Sequence, residues 1–237
     1  MSGEVTTGEE RPTKEYRMKI GIIGAGNIGG TLTRRLRELG HEVRVANSRA
    51  PETLAELAEE TGATAVRAAE AAEDADLVIV SIPQKNVPDL AAGIVAARKP
   101  DAPVIETNNY YPRRDGYIEA IEQGQPESAW VAERIGAPVL KVFNGIYWKR
   151  LLADGKPQGA QGRIALPVAG AEGPGKKLVF DLVEDLGFDA IDGGSIEESW
   201  RQQPGTPVYG KDFGPEDARR ALAEAPAERP AEFRAER

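Results

Sequence analysis

The chain of 237 residues has no cysteine and only one histidine, His41. The missing cysteines exclude disulfides, a thiol nucleophile and cysteine-ligated zinc, and a single histidine excludes a multi-histidine metal site. We therefore expect no metal site. We interpret His41 as structural, because it lies in a predicted helix-to-strand turn at the end of the fold remote from any ligand edge. Redox chemistry would have to come from a bound organic cofactor.

Long hydrophobic runs and an excess of positive charge are also missing. No stretch approaches the roughly 18 uninterrupted apolar residues of a membrane helix, and the polar N-terminus lacks the apolar core of a signal peptide. Lys and Arg total 30 against 38 Asp and Glu, a net charge of -8, which disfavours binding to a nucleic-acid backbone. We expect no membrane and no nucleic-acid partner, and a cytoplasmic location.

The two ends of the chain are polar and charged, without an apolar pattern that would pack on a core. We interpret residues 1–17 as a flexible extension and residues 216–237 as a charged tail. Residues 18–150 are predicted to form a nucleotide-binding domain. Residues 151–215 are predicted to form a small segment for substrate binding or dimerisation.

Short apolar runs alternate with helical patterns from Met18 onward. The run Leu77–Val80 is apolar throughout, as in strands that are buried on both faces of a parallel sheet. Because parallel neighbours need a crossover helix between them, the alternation predicts an α/β fold with a doubly wound, mainly parallel sheet and a small C-terminal α/β appendage. Strands are predicted at 19–23, 42–46, 63–66, 77–80, 104–105, 139–143, 164–168 and 188–191, and helices at 27–39, 51–60, 68–72, 86–97, 117–122, 128–135, 146–152 and 176–186.

A glycine-rich turn follows the first predicted strand directly and leads into the first predicted helix. Gly24, Gly26 and Gly29 match the G-x-G-x-x-G fingerprint, with Asn27 and Ile28 between them. The first glycine allows a tight turn, the second lets the backbone approach a pyrophosphate, and the third lets the helix lie close to the strand. A glycine turn of purely structural use is the alternative. The strand–turn–helix context favours a dinucleotide site in a Rossmann-type sheet, with the phosphates at the helix N-terminus.

The end of the second predicted strand, about 20 residues further on, decides which dinucleotide fits. An NAD-binding protein places an acidic residue there for the ribose 2′-hydroxyl, whereas this chain has Asn47, Ser48 and Arg49. A hydroxyl beside a guanidinium suits a 2′-phosphate. The pattern therefore predicts NADP as the cofactor. In the alternative interpretation, Arg49 is a solvated loop residue and cofactor specificity is relaxed.

Ser81, Ile82 and Pro83 close the fourth predicted strand, at the carboxyl edge where ligands of open α/β sheets bind. Polar clusters that contain Asn108 and Asn144 follow two further predicted strands and should reach the same edge. Asparagine is also an ordinary turn residue. Because the clusters converge on one edge, we favour a nicotinamide site that includes these residues.

Four segments of the chain form a recognisable set: Lys19–Gly29, Gly40–Val43, Asn47–Arg49 and Lys141–Asn144. Together they resemble the NADP oxidoreductases that depend on coenzyme F420, and the resemblance covers about Met18–Trp148. It implies an oxidoreductase in which hydride passes directly between the nicotinamide and a deazaflavin, so that no catalytic residue of the protein is required. The implied contacts are the pyrophosphate at residues 26–28, the 2′-phosphate at 48 and 49, and the nicotinamide near 81–83, 108 and 144.

The second ligand is less well defined by the sequence. Archaeal members of the family carry another basic residue just after the Ser-Arg pair, where this chain has Ala50 and Pro51. Aromatic side chains could stack on a flat heterocycle and basic ones could meet an anionic tail, although each type is more often buried in a core or solvated. We interpret the Pro/Gly-rich loop Ser199–Gly210 as a cap on the site or a dimer contact. The candidate side chains are Tyr110, Tyr111, Tyr147, Trp148, Trp200, Arg113, Arg114, Lys149 and Arg150.

Three functions are compatible with these features. The first is an NADPH-linked reductase of a deazaflavin such as coenzyme F420, or of a flavin, acting as a homodimer. The second is an NADPH-dependent reductase of another small molecule, although no Ser-Tyr-Lys set and no long helical C-terminal region is present. The third is a non-catalytic NADPH-binding sensor or partner protein. An open cleft over the carboxyl edge would favour an enzyme, and a closed edge would favour a sensor.

Overall fold

A six-stranded parallel sheet forms the centre of the protein. The computed structural model describes residues 17–235, so the predicted extension 1–17 lies outside the described residues except for Arg17. The strands are β1 (Lys19–Ile23), β2 (Glu42–Ala46), β3 (Thr64–Ala65), β4 (Leu77–Val80), β5 (Val104–Glu106) and β6 (Leu140–Lys141). Their order is β3-β2-β1-β4-β5-β6, which confirms the predicted doubly wound sheet.

Helices connect the strands and cover both faces of the sheet. Alternate residues of β1 point to opposite faces, so that Ile20 and Ile22 join one apolar core and Ile23 joins the other. Both faces are therefore buried, and all four residues of β4 are buried as predicted. The helices are α1 (Asn27–Glu38), α2 (Ala55–Thr61), α3 (Ala68–Ala71), α4 (Pro112–Asp115), α5 (Glu119–Glu122), α6 (Glu127–Ile135), α7 (Trp148–Ala153), α8 (Pro174–Asp185) and α9 (Pro215–Ala223).

The C-terminal part of the chain adds a small parallel sheet of two strands, β7 (Ala165–Val168) and β8 (Asp189–Asp192). An antiparallel bridge attaches it to β6, with Lys141 N donating to Ala169 O at 2.8 Å and Ala169 N donating to Lys141 O at 3.0 Å. Val179 of α8 lies in the same apolar core as Ile20 of β1. The segment 151–215 thus shares a core with the sheet before it.

Two predicted elements near the carboxyl edge differ from the structure. The helix predicted at 86–97 is wrong, because the chain forms a 3₁₀ segment at Gln84–Asp89 and then irregular turns. Pro88 lacks an N–H group and Gly93 has φ +71°, and both features oppose a continuous helix. The strand predicted at 139–143 contains only the two residues of β6, since Phe143 turns away with φ +63°.

The prediction of a poorly packed C-terminal tail is wrong for the first part of that tail. Helix α9 buries Ala218, Ala221 and Leu222 in a small core with Ala165 and Ile191 of β7 and β8. Alanine and leucine at this spacing form an apolar helix face, although the surrounding sequence is charged.

Residues 17–235 contain no helix with the length and apolarity that crossing a membrane requires. The same range contains no group of three or more acidic or histidine side chains that could hold a metal ion.

Candidate dinucleotide-binding site

The candidate site lies where the strand order reverses, between the carboxyl ends of β1 and β4. Connections leave these neighbouring strands in opposite directions, which opens a crevice at the sheet edge. Gly24 N donates to Ala46 O at 2.8 Å, and Ser81 N donates to Ile23 O at 2.8 Å. These bonds hold the turns after β1, β2 and β4 at one level of the edge.

The first and third glycines of the fingerprint are required by packing inside the protein. Gly24 has φ +112°, and a Cβ atom added there would lie 2.1 Å from the Ser81 carbonyl oxygen. A Cβ added at Gly29 would lie 1.8 Å from the Gly24 carbonyl oxygen. Any side chain at either position would therefore displace backbone.

Gly26 differs from its two neighbours in the fingerprint. Its φ of -74° suits any residue, and a Cβ atom added there would meet nothing within 4 Å. Open space therefore lies beside Gly26 at the start of α1. The amides of Asn27 and Ile28 have no intrahelical acceptor, because they lie in the first turn of α1. This turn also has no acidic residue and no side-chain cap that could accept from them. Such a helix N-terminus with an open approach fits a pyrophosphate.

The loop after β2 presents Ser48 and Arg49 to solvent. Asn47 shapes this loop, since its Oδ1 accepts a hydrogen bond from Arg49 N at 2.8 Å and its Nδ2 donates to Thr53 Oγ1 at 2.9 Å. The Asn47 side chain therefore holds the loop in shape, and its contact with a cofactor stays a prediction. Within the described part of the chain, the Arg49 guanidinium has no hydrogen-bond or ion-pair partner. Ser48 and Arg49 are thus free to meet a 2′-phosphate.

A surface pocket of about 380 Å³ lies beside this loop and is lined by Arg49, Ala50, Pro51, Glu52 and Arg67. Sequence reasoning missed Arg67. It lies two residues after the end of β3, and a strand of two residues has too little pattern to mark its carboxyl end.

The turns after β4 and β5 meet as predicted. Asn108 Oδ1 accepts a hydrogen bond from Ile82 N at 3.3 Å, and Thr107 Oγ1 donates to Ser81 Oγ at 2.8 Å. Ser81, Ile82 and Pro83 are half-buried, so this part of the edge is open to a ligand. Asn108 Nδ2 is buried without a partner in residues 17–235. This unpaired donor makes Asn108 a candidate for a polar contact with a ligand at the edge.

A buried ion pair holds Asn108 in place, and sequence reasoning missed it. Lys141 and Glu106 have fully buried side chains with Nζ and Oε1 3.0 Å apart. Lys141 Nζ also donates to Asn108 O at 3.0 Å, and Asn108 N donates to Glu106 Oε2 at 2.8 Å. Ser128 Oγ donates to the same carboxylate. The two charges end neighbouring strands, so only the sheet order could have revealed the pair.

Asn144 is brought to the same edge but is engaged with the protein. Its Nδ2 donates to Gln202 O at 2.7 Å and to Asn109 Oδ1 at 3.1 Å, and its Oδ1 accepts from Gln202 Nε2 at 3.1 Å. This network ties the Pro/Gly-rich loop to the end of β6. The loop therefore covers the edge beyond β6, and a contact between Asn144 and a nicotinamide stays a prediction.

Two tyrosines form a pair at the covered side of the site. The hydroxyls of Tyr111 and Tyr209 are hydrogen-bonded to each other, and Asn109 Nδ2 donates to Tyr209 OH at 3.2 Å. Burial, together with the hydrogen bond to Tyr111, raises the pKa of Tyr209 well above its ordinary value. The Tyr209 phenol is therefore protonated at neutral pH.

The candidate aromatic side chains differ in how accessible they are. Tyr110 is fully buried and its hydroxyl donates to Gly116 O at 2.7 Å, so its interpretation as a stacking surface is wrong. Tyr147 is 55% exposed and its ring centroid lies 5.9 Å from that of Trp148. Trp200 stacks under the guanidinium of Arg201. Tyr147 is accordingly the most accessible aromatic of the set.

The candidate basic side chains differ in whether a carboxylate already pairs with them. Arg114 is engaged by Asp115, and Arg150 is engaged by Asp154 and Asp212. Arg113 is exposed and has no partner among the described residues, and Lys149 Nζ lies 5.4 Å from the Trp148 ring centroid. The structure does not gather the four cations into one anion site.

The strand order, the glycine turn and the switch-point crevice define a Rossmann-type dinucleotide-binding protein. Residues 19–110 match the family described as NADP oxidoreductase, coenzyme F420-dependent. The predicted resemblance is confirmed over this segment, which runs from β1 past the end of β5. It includes the glycine turn, Arg49 and Asn108.

Individual known proteins are also similar to parts of this chain. The Escherichia coli K12 protein YjhV is 51% identical over 53 residues, which cover 22% of this chain and 39% of that protein's length. The crystal structure of protein SMa0349 from Sinorhizobium meliloti has a TM-score of 0.69 at 28% identity, covering 81% of this chain and 93% of that chain. A provisionally described F420-dependent NADP reductase from Arthrobacter sp. FB24 has a TM-score of 0.60 at 22% identity, covering 77% and 87% of the two chains. At 22% identity, the similarity to the Arthrobacter protein concerns the fold alone.

Proposed function

We propose that the protein is an NADP-dependent oxidoreductase that transfers hydride between NADPH and a deazaflavin such as coenzyme F420, or a flavin. The observation that carries the proposal is the space beside Gly26, which no packing inside the protein explains. It lies at the start of α1, in the segment that matches the family.

The chain's own residues would hold the cofactor along the sheet edge. The amides at 26–28 would bind the pyrophosphate, and Ser48 and Arg49 the 2′-phosphate. The half-buried turn 81–83 and the free Asn108 amide would orient the nicotinamide. Bound NADPH supplies the hydride, so the protein contributes position, electrostatics and exclusion of water rather than an acid or a base. A homodimer belongs to the same proposal.

A second candidate is the NADPH-dependent reduction of a small carbonyl or imine compound. The specific observation in its favour is the hydrogen-bonded Tyr111–Tyr209 pair beside Asn109. Reduction of a carbonyl group requires a proton as well as a hydride, and a phenol at this edge could donate it. Full reduction of a deazaflavin also takes up a proton, but its conjugated ring holds the negative charge until solvent supplies that proton, so no protein acid is required.

Stopped-flow oxidation of NADPH, with coenzyme F420, FMN and FAD as separate acceptors, tests the first candidate. We expect one acceptor to accelerate NADPH loss, and we expect Arg49→Ala to raise the KM for NADPH. Absence of acceleration by all three would refute the flavin-type function. Tyr209→Phe distinguishes the candidates, because it should leave flavin reduction unchanged and slow carbonyl reduction.

A further inference from the structure

Arg67 emerges from the sheet beside the loop that carries Arg49. β2 and β3 are parallel, with Arg44 paired to Thr64 and Val45 to Ala65. Val66 N continues the ladder by donating to Val45 O at 3.0 Å. Two more steps of this register bring Arg67 level with the Asn47 turn. The two arginines thus leave neighbouring strands at the same edge.

The backbone of Arg67 is fixed while its guanidinium is free. Arg67 N donates to Glu70 Oε2 at 3.1 Å, and Glu70 N donates to Arg67 O at 2.9 Å. The Glu70 carboxylate is thereby engaged at the start of α3. The Arg67 side chain is exposed, and its guanidinium makes no hydrogen bond or ion pair within residues 17–235. The position of the residue is therefore set, and its charge is available.

The pocket beside Arg49 has two free guanidinium groups and one carboxylate in its lining. Arg49 and Arg67 supply the cations, Ala50 and Pro51 supply apolar surface, and Glu52 supplies the carboxylate. Glu52 also lacks an ion-pair partner in the described chain. Two partly solvated guanidiniums that face one pocket repel each other, and a doubly charged anion between them would remove that repulsion.

We propose that Arg67 is the second cation of the 2′-phosphate subsite and a determinant of the preference for NADPH over NADH. This inference rests on the proposed function, because it assumes that the dinucleotide lies along the edge from Gly26 to Arg49. A 2′-phosphate offers three oxygens, which is more than the fork of Arg49 alone can satisfy. Arg67 lines the same pocket as Arg49 but comes from the neighbouring strand end.

The experiment compares the dissociation constants of NADPH and NADH by quenching of tryptophan fluorescence. Arg67→Gln should raise the Kd for NADPH about tenfold and leave the Kd for NADH within about twofold, as expected for one charge-assisted contact. Arg67→Lys should recover part of the loss. Glu52→Gln should change the NADPH affinity in the opposite direction, because it removes a negative charge from the same lining.

Arg219→Gln is the matched control, since it removes the same charge from an exposed arginine on α9. Equal weakening of NADPH and NADH by Arg67→Gln would place Arg67 on the adenosine and overturn the inference. Unchanged Kd values for both dinucleotides would also overturn it. Wild-type protein that binds neither dinucleotide would instead refute the proposed function itself. Titration with 2′,5′-ADP and 5′-ADP gives a second readout that is independent of catalysis and should show the same difference.

Discussion

Gly26 and Gly29 stand three residues apart at the start of one helix, but an added methyl group would meet very different surroundings. At Gly29 it would overlap the Gly24 carbonyl, and at Gly26 it would enter open space. The same motif therefore contains a glycine that the fold needs and a glycine that it does not. This difference separates a structural turn from a ligand site without reference to any ligand.

The two alanine variants test that difference. Gly29→Ala should lower the free energy of unfolding by about 3 kcal/mol or prevent folding, because backbone has to shift. Gly26→Ala should change it by less than about 1 kcal/mol, which is the range of an N-cap substitution. Gly26→Ala should nevertheless weaken NADPH binding at least tenfold. Urea unfolding and a fluorescence titration measure both effects. Normal NADPH affinity in stable Gly26→Ala protein would contradict the assigned site.

His41 gives a second prediction for a single residue. It is the only histidine of the chain, it is buried, and its Nδ1 accepts a hydrogen bond from Met18 N at 3.3 Å. Burial lowers its pKa below the ordinary 6.5, and the nearby Asp185 opposes this effect only in part. Below the ordinary pKa the unfolded chain takes up a proton that the folded chain does not. The free energy of unfolding should therefore fall as the pH drops from 7 towards 5.5.

The measurement is NMR titration of the one imidazole, with unfolding curves at several pH values. His41→Asn preserves an acceptor near Nδ1 and should remove this part of the pH dependence. An imidazole pKa at or above 6.5 in folded protein would show that the neutral ring is not favoured by the fold.

At the scale of elements, the ends of β5 and β6 depend on each other through Glu106 and Lys141. Both charges are fully buried, so removing one leaves the other without compensation. Lys141→Met should lower the free energy of unfolding by about 3–5 kcal/mol. It should also weaken NADPH binding, because Asn108 loses a hydrogen bond that positions its turn.

Two further variants control this prediction. The double variant Glu106→Gln with Lys141→Met should recover much of the stability, since no unpaired charge remains. Lys177→Met breaks the exposed pair with Asp181 and should change stability by less than about 0.5 kcal/mol. Urea unfolding measures the loss in the free energy of unfolding. Equal losses for Lys141→Met and Lys177→Met would show that the buried pair contributes no more to stability than the exposed one.

At the scale of the whole molecule, a ligand that binds only the folded state stabilises it. NADPH at 100 times its Kd should contribute about 2.7 kcal/mol. For a chain of this length that corresponds to a rise in Tm of roughly 5–10 °C. NADH at the same concentration should give a smaller rise, because it lacks the 2′-phosphate. Differential scanning fluorimetry measures both, and identical shifts would contradict the predicted cofactor preference.

Much of the architecture was predictable because it depends on local pattern. The apolar run of β4 and the glycine turn before α1 are contiguous in sequence and mark strand, turn and helix directly. Of the candidate site, Gly26 and Arg49 were predictable for the same reason. The proximity of Arg67 to Arg49, 18 residues before it, and the Glu106–Lys141 pair, 35 residues apart, were not predictable, because these residues come together only through the sheet order.

The antiparallel bridge between Lys141 and Ala169 also bears on how the protein unfolds. It connects the backbone of the large sheet to that of the small one, and one apolar core extends from β1 to α8. Separate melting of the C-terminal part would expose part of that core to water. Calorimetry should therefore record a single cooperative transition, in which loss of the small sheet and loss of the nucleotide edge occur together.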